Sequence, residues 1–165
     1  MSEAENRFME LVAELIPGTK GYRSSSTRRD TDAKVREFIS VELEGLRGKM
    51  AELMAASEEE GEEDMLHDLG LIDSRMERTI DALRGADYGD SAFFSEGEVD
   101  DRALETVCDH DRALLEDLDL LKRDVTGMKY ETIGNLTLRE IEGTLAAIEL
   151  KVVNRKDVLT YCMEA

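Results

Sequence analysis

A cluster of arginines and hydroxyl groups precedes the first long helical pattern of this chain. The segment GYRSSSTRRDTD (residues 21–32) carries Arg23, Arg28 and Arg29, and Lys20 comes directly before it. The free backbone N–H groups of a helix N-terminus attract anions, and arginine pairs well with phosphate and carboxylate groups. These four cationic side chains therefore predict an anion site for a phosphate, a sulfate or the acidic tail of a partner. The same residues also fit a simple helix start, or a strap that holds acidic residues of the protein itself.

Two pairs of acidic residues have spacings that suit a divalent cation. Glu60 and Glu63 form a Glu-x-x-Glu pattern, and Glu116 and Asp119 form a Glu-x-x-Asp pattern. Carboxylate oxygens are the protein ligands that Mg2+ prefers. The spacings resemble the magnesium-binding clusters of the all-helical nucleotide pyrophosphatases, and this resemblance implies a metal-dependent enzyme that uses acidic helix faces. In a chain with 39 acidic residues such spacings also arise by chance.

The two histidines, His67 and His110, are each followed by an aspartate. The stretch MLHDLG around His67 resembles the histidine–aspartate dipeptide of the all-helical HD-type metal phosphohydrolases. The family motif also requires an earlier histidine, and none precedes His67. A di-iron carboxylate bundle would need Glu-x-x-His on two helices, and Asp64 before His67 is the nearest match. His67 and Asp68 are more simply interpreted as a solvated pair.

The formal charge of the chain is −18 at pH 7, and all of it lies beyond residue 40. An acidic surface repels nucleic acids and anionic lipids, so neither is expected as a partner, whereas a basic protein would fit. No apolar run approaches the roughly 20 residues that a membrane-spanning helix needs. Since no export signal opens the chain, we expect a cytoplasmic protein in which Cys108 and Cys162 remain reduced.

Apolar residues at helical spacing predict an all-α fold. A single domain (residues 1–165) is expected, with a short helix and the basic lead-in over 1–26 and long helices over 27–60, 62–85, 101–126 and 137–163. Thr27 is expected to cap the first long helix, and Thr137 and Glu140 to form a capping box at the last. Because most connections are short, the four long helices predict an antiparallel up-down-up-down bundle. A helical hairpin that pairs with a second copy is the alternative.

Two polar residues occupy core positions in the apolar stripes of the last two helices. Asp111 lies in the stripe of the helix over 101–126, and Arg155 lies in that of the helix over 137–163. In a hairpin of these helices the two positions face each other. We therefore predict a partly buried salt bridge that fixes the helix register, the alternative being that both side chains lie at the edge of the core and point to solvent.

These observations favour a non-enzymatic interaction or assembly module. Sustained heptads and a polar surface support this interpretation, and the sequence contains no coherent set of catalytic residues and predicts no cofactor. Such a module requires a protein partner. A homodimer through the second helix or the N-terminal helix is one candidate, because the eight methionines suit adaptable apolar surfaces. The alternative function is a divalent-metal-dependent phosphohydrolase or nucleotide pyrophosphatase.

Overall fold

A computed structural model describes residues 1–88, 91–95 and 97–163. These residues form five α-helices: α1 (Glu3–Leu15), α2 (Ser25–Glu59), α3 (Glu63–Arg84), α4 (Asp101–Thr126) and α5 (Asn135–Tyr161). Two short 3-10 helices, Ala92–Phe94 and Tyr130–Thr132, lie in the connections. Within this part of the chain there is no strand, and no helix is long and apolar enough to cross a membrane. The all-α prediction is confirmed.

The four long helices form a bundle in which the chain direction alternates, as predicted. α2 and α3 form one antiparallel hairpin, and α4 and α5 form the other. The two hairpins pack with α2 parallel to α4, because Arg23 before α2 pairs with Asp101 at the start of α4, and Glu42 pairs with Lys122 further along.

Two diagonals cross the bundle. Among the described residues, α2 and α5 each pack against both α3 and α4, so α2 lies diagonally opposite α5 and α3 opposite α4. The end of α3 and the start of α4 therefore belong to diagonally opposite helices. The short connections predicted the two hairpins but not this diagonal arrangement.

The helix ends differ from the prediction at two caps. α2 begins two residues earlier than expected, after Ser24, and the Thr27 hydroxyl donates to the carbonyl of Gly21 over 2.9 Å. Thr27 therefore folds the lead-in back onto α2 and does not cap the helix. The capping box of Thr137 and Glu140 is also wrong, because α5 begins at Asn135 and both residues lie inside the helix.

Helix α1 packs along α4 and is fixed at its N-terminus by a capping box. The backbone N–H of Glu5 donates to the Ser2 hydroxyl over 3.3 Å, and the backbone N–H of Ser2 donates to the Glu5 carboxylate over 3.0 Å. Such a box satisfies two N–H groups that a helix start otherwise leaves unbonded. Phe8 and Val12 are fully buried, and Leu11, Leu15 and Ile16 pack partly buried against the core. The apolar face of this helix is thus already used within the chain.

The crossover between α3 and α4 covers one end of the core. Phe93 and Phe94 are buried there, with their rings edge-to-face at 5.4 Å between centroids. Tyr88 stacks against Phe94 at 6.4 Å. Aromatic rings bury a large apolar area each, so this segment closes the end of the bundle where α2 and α4 begin.

Candidate functional site

A group of buried charged side chains lies inside the bundle near this covered end. At its centre is Arg155 of α5, which is 1% exposed. Its Nε and Nη2 donate to the two carboxylate oxygens of Asp111 on α4, each over 2.9 Å, and its Nη1 donates to Asp32 on α2. Arg36 and Tyr22 bind to the same carboxylates. We refer to these five residues as the Arg155 cluster.

Arg36 and Tyr22 extend the cluster to the remaining helix and to the lead-in. Arg36 donates to Asp32 over 3.1 Å and to the carbonyl of Leu83, near the end of α3, over 2.9 Å. The Tyr22 hydroxyl donates to Asp111 over 2.5 Å and accepts from Arg155 over 3.1 Å. The cluster therefore connects all four helices of the bundle, and Arg155 and Asp32 span one of its diagonals.

Aromatic rings surround the cluster. Tyr22 stacks on Phe8 at 5.3 Å and meets Phe93 edge-on at 5.5 Å. The Tyr88 ring lies 5.3 Å from the guanidinium carbon of Arg155 and 5.7 Å from that of Arg36. Rings at these distances attract guanidinium groups and exclude water, which strengthens the electrostatic interactions inside.

Three groups of the cluster, Asp111, Arg155 and Tyr22, have strongly shifted pKa values. Burial alone would raise the pKa of the Asp111 carboxyl, but Arg155 and His110 outweigh it and hold that pKa well below its usual range. Burial opposes the charge on Arg155 as well, yet Asp111 raises its pKa well above the usual value. Burial and the charge of Asp111 raise the pKa of Tyr22. At the centre of the cluster Asp111 is thus ionised, Arg155 is cationic and the Tyr22 phenol is neutral.

His110 lies at the border of the cluster. Its Nδ1 is 3.2 Å from a carboxylate oxygen of Asp111, and its Nε2 is 3.1 Å from the carbonyl oxygen of Lys151. His67, in contrast, is exposed near the start of α3, at the opposite end of the bundle. The two histidine–aspartate pairs are therefore separate, and the structure brings together no pair of histidines for an HD-type site.

The predicted contact between Asp111 and Arg155 is present, and both side chains are fully buried and not at the edge of the core. Sequence reasoning missed Asp32, Arg36 and Tyr22. Asp32 lies seven residues before Ile39 and thus continues the heptad seam of α2, which is the signal that would have identified it. Tyr22 lies outside any helix and offers no such pattern.

The basic lead-in is folded against the protein itself. Arg28 is 1% exposed, and its guanidinium donates to the carbonyls of Tyr22 over 2.8 Å and of Arg23 over 3.0 Å. It also donates to the carbonyls of Phe93 and Gly97 in the crossover, over 3.4 and 3.3 Å. Burial lowers the pKa of Arg28. An anion would have to displace these hydrogen bonds to reach this side chain.

The other three residues of the predicted anion site do not converge on one point. Arg23 donates to both carboxylate oxygens of Glu5 over 3.0 and 2.6 Å, and to Asp101 over 3.0 Å. The guanidinium of Arg29 lies 5.2 Å above the ring of Phe94, and Lys20 is exposed. These contacts match the strap interpretation, in which arginines hold acidic residues of the protein.

The two acidic pairs lie far apart. Glu60 and Glu63 flank the turn between α2 and α3, whereas Glu116 and Asp119 lie on α4. Because Glu42 of α2 is level with Lys122 of α4, the pairs are separated by roughly 35 Å along the bundle at 1.5 Å per residue. Arg112 pairs with Glu116, and Arg123 pairs with Asp119. Across residues 1–88, 91–95 and 97–163, no three His, Cys, Asp or Glu side chains are placed to hold a metal ion.

Both cysteines are free and buried, on α4 and at the end of α5. Burial raises the pKa of the Cys162 thiol to about 11, and burial together with Asp111 raises the pKa of Cys108. The thiolate is the reactive form of cysteine, so neither residue is suited to act as a nucleophile.

The outward side of α5 differs from the charged surface around it. Leu136 is 71% exposed, Leu150 is 61% exposed and Val153 is 71% exposed. These residues belong to a row on the solvent side of the helix with steps of three and four: Leu136, Arg139, Gly143, Ala146, Leu150, Val153, Asp157 and Thr160. We call this row the outer seam of α5. Its four central positions, from Gly143 to Val153, carry no charge.

Shallow grooves accompany the outer seam on both sides. The groove toward α3 has an apolar floor of Ala82, Val152 and Val153 with Arg78, Thr79 and Glu149 at its sides. The groove toward α4 is lined by Leu120, Gly143, Thr144 and Ala147 together with the carboxylates of Asp117, Asp124 and Glu140. α5 therefore carries two heptad seams, one that packs into the bundle and one that faces solvent. A helix with both faces apolar is typical of contacts on two sides.

Comparison of the chain with protein-family models, with curated proteins and with solved structures found no match.

Proposed function

We propose that this chain is a non-enzymatic assembly module that binds a protein partner through the outer seam of α5. The observation that carries the proposal is the exposed, uncharged centre of this seam on a chain with a formal charge of −18. Heptad spacing of exposed apolar residues is the pattern with which one helix docks on another. Exposed apolar residues that share one helix face, as Leu150 and Val153 do, are typical of interaction sites on folded proteins.

The buried chemistry of the bundle supports this proposal over a catalytic function. The charged groups of the Arg155 cluster are buried and bonded to one another, which suits a structural role. A catalytic acid or base needs access to the proton of a substrate. We further propose that the module works in the cytoplasm, where the free thiols of Cys108 and Cys162 remain reduced.

Site-specific photo-crosslinking tests the proposal. The photoreactive residue p-benzoylphenylalanine would replace Leu150 in one variant and Val41 in a control, in the cells that express the chain. Val41 lies on the outer side of α2 and is 50% exposed, so the two positions are similarly accessible. We expect covalent protein adducts from position 150 and few from position 41. Equal labelling at both positions, or none at position 150, would contradict the proposed interface.

A further inference from the structure

We infer that the outer seam of α5 binds the same seam of a second copy of this chain, in antiparallel orientation, with the two-fold axis level with Ile148. This inference rests on the proposed function and names its partner. The earlier candidates for a homodimer were α1 and α2. The apolar face of α1 is already buried against α4, and the outer seam of α5 offers the more extended row of exposed apolar residues.

The heptad spacing of the outer seam allows it to pack against the same seam of a second copy in antiparallel orientation. In an antiparallel helix pair, the first apolar position of each heptad faces the fourth position of the partner helix. With the axis level with Ile148, Leu150 faces the partner's Ala146, and Val153 faces the partner's Gly143. A large residue thus meets a small one in each of these layers, which lets the two helices approach closely.

Gly143 leaves room for such an approach. A Cβ atom placed on Gly143 would have no other atom within 4 Å, so the surface above it is open. Ala146 is exposed as well. Each copy thus contributes two protruding side chains, Leu150 and Val153, and the space above two small residues, Gly143 and Ala146, that receives the partner's side chains.

The charges at the ends of the seam select the antiparallel orientation. In this register Arg139 faces the partner's Asp157, and Glu142 beside the seam faces the partner's Lys156, and the symmetry repeats both pairs. Within the described chain neither Arg139 nor Asp157 has a salt bridge of its own. A parallel pair would instead place Arg139 against Arg139 and Asp157 against Asp157, which repel each other.

One like-charged pair lies near the two-fold axis, where Glu149 faces the partner's Glu149. In each chain Arg75 already binds this carboxylate, with Nη2 donating over 2.8 Å. The repulsion is therefore neutralised before the two copies meet. The seam from Leu136 to Thr160 is about 36 Å long at 1.5 Å per residue. A single helix pair of this length gives an interface at the small end of the specific range.

Sedimentation equilibrium over a concentration series tests the inference with the full chain. We expect a reversible dimer with a dissociation constant on the order of micromolar, as for other small interfaces. Leu150→Glu should weaken the dimer at least tenfold, since it places two carboxylates in the apolar centre. Val41→Glu is the matched control on α2 and should leave the dimer unchanged. A wild-type chain that stays monomeric up to millimolar concentration would overturn the inference.

A charge exchange tests the orientation. Arg139→Asp and Asp157→Arg should each weaken the dimer, because each places like charges together, and the double variant should restore it. If the double variant is as weak as the single ones, the antiparallel register is wrong. Circular dichroism of each variant establishes that the helices remain folded.

The outcomes separate this inference from the proposed function. If position 150 crosslinks to the chain itself and the charge exchange restores the dimer, both stand. If position 150 crosslinks only to a different protein and the chain is monomeric, the interface stands and the second copy is rejected. If position 150 gives no adduct and Leu150→Glu leaves a dimer intact, both are rejected.

Discussion

Replacement of Arg155 by methionine is the sharpest test of how the bundle is held together. Methionine keeps much of the volume of the side chain and removes its charge and its donors. In the wild type the guanidinium makes hydrogen bonds to Asp111, Asp32 and Tyr22. Arg155→Met leaves Asp32 paired with Arg36 but deprives Asp111 of its main counter-charge. The loss of electrostatic stabilisation therefore falls mainly on one buried carboxylate, that of Asp111.

The size of the effect follows from that arrangement. Removal of one partner of a buried salt bridge costs about 3–5 kcal/mol, because the other charge stays buried and uncompensated. We expect Arg155→Met and Asp111→Asn each to lie in this range. The double variant removes both charges, so it should be more stable than the sum of the two single effects predicts. The coupling should reach about 2–3 kcal/mol.

Urea unfolding of the wild type, the two single variants and the double variant at pH 7 measures this coupling. Equal slopes of unfolding free energy against urea concentration check that all four unfold in two states. Arg47 and Asp73 provide the control, because they form a bidentate salt bridge between α2 and α3 that remains partly exposed and lies away from the outer seam of α5. Their cycle, with Arg47→Met and Asp73→Asn, should show coupling below about 1 kcal/mol. Additive effects at Asp111 and Arg155, or equal coupling in the two cycles, would refute the reasoning.

The other predictions concern pH, metals, thiols and anions. Although burial would raise the pKa of Asp111, Arg155 keeps it low, so the wild type should lose stability as the pH falls below about 4. Urea unfolding at several pH values should show a smaller loss of stability for Arg155→Met. Thermal melts should be the same with EDTA, Mg2+, Mn2+ or Zn2+, and a rise of several degrees with one metal would support the phosphohydrolase alternative. Cys108 and Cys162 should react with a thiol reagent only on unfolding, as followed by absorbance in a urea series. Millimolar sulfate or pyrophosphate should leave the amide resonances of residues 20–30 in place because Arg28 is already bonded to carbonyls, and a saturable shift that Arg28→Ala abolishes would restore the anion site.

The helices were predictable because their signal is local. Apolar residues at steps of three and four identify α2 to α5, and the bounds of α4 agree with the prediction at both ends. The hairpins follow from the short connections within each pair. The diagonal placement of α3 and α4 has no local signal, because the connection over residues 85–100 is long enough for either neighbouring or diagonal helices. Side-chain contacts between distant segments decide it.

The same distinction explains what was predicted of the candidate sites. Asp111 and Arg155 were identified because each interrupts an apolar stripe, and the hairpin geometry places them opposite each other. The inward orientation of the Arg28 side chain could not be inferred, because its guanidinium donates to the carbonyls of Phe93 and Gly97, more than sixty residues away in the sequence. The outer seam of α5 was present in the sequence, but the stronger inner seam of the same helix concealed it.

The Arg155 cluster also bears on why this sequence adopts one arrangement of its four helices. Apolar seams alone pack about equally well when the helices exchange neighbours around the bundle, since leucine and isoleucine contacts carry little directional information. Arg155 reaches Asp32 across the diagonal between α5 and α2 while it binds Asp111 on α4. An arrangement that moved α2 away from this diagonal would bury Arg155 with one carboxylate and leave Asp32 to Arg36. That arrangement would lose the buried charged hydrogen bond between Arg155 and Asp32. Because a hydrogen bond to a charged group contributes about 1.5–3 kcal/mol, a noticeable part of the stability of an ordinary domain, the cluster favours the observed order over such alternatives. The cluster thus contributes to the choice of this topology, in which the outer seam of α5 lies on the surface.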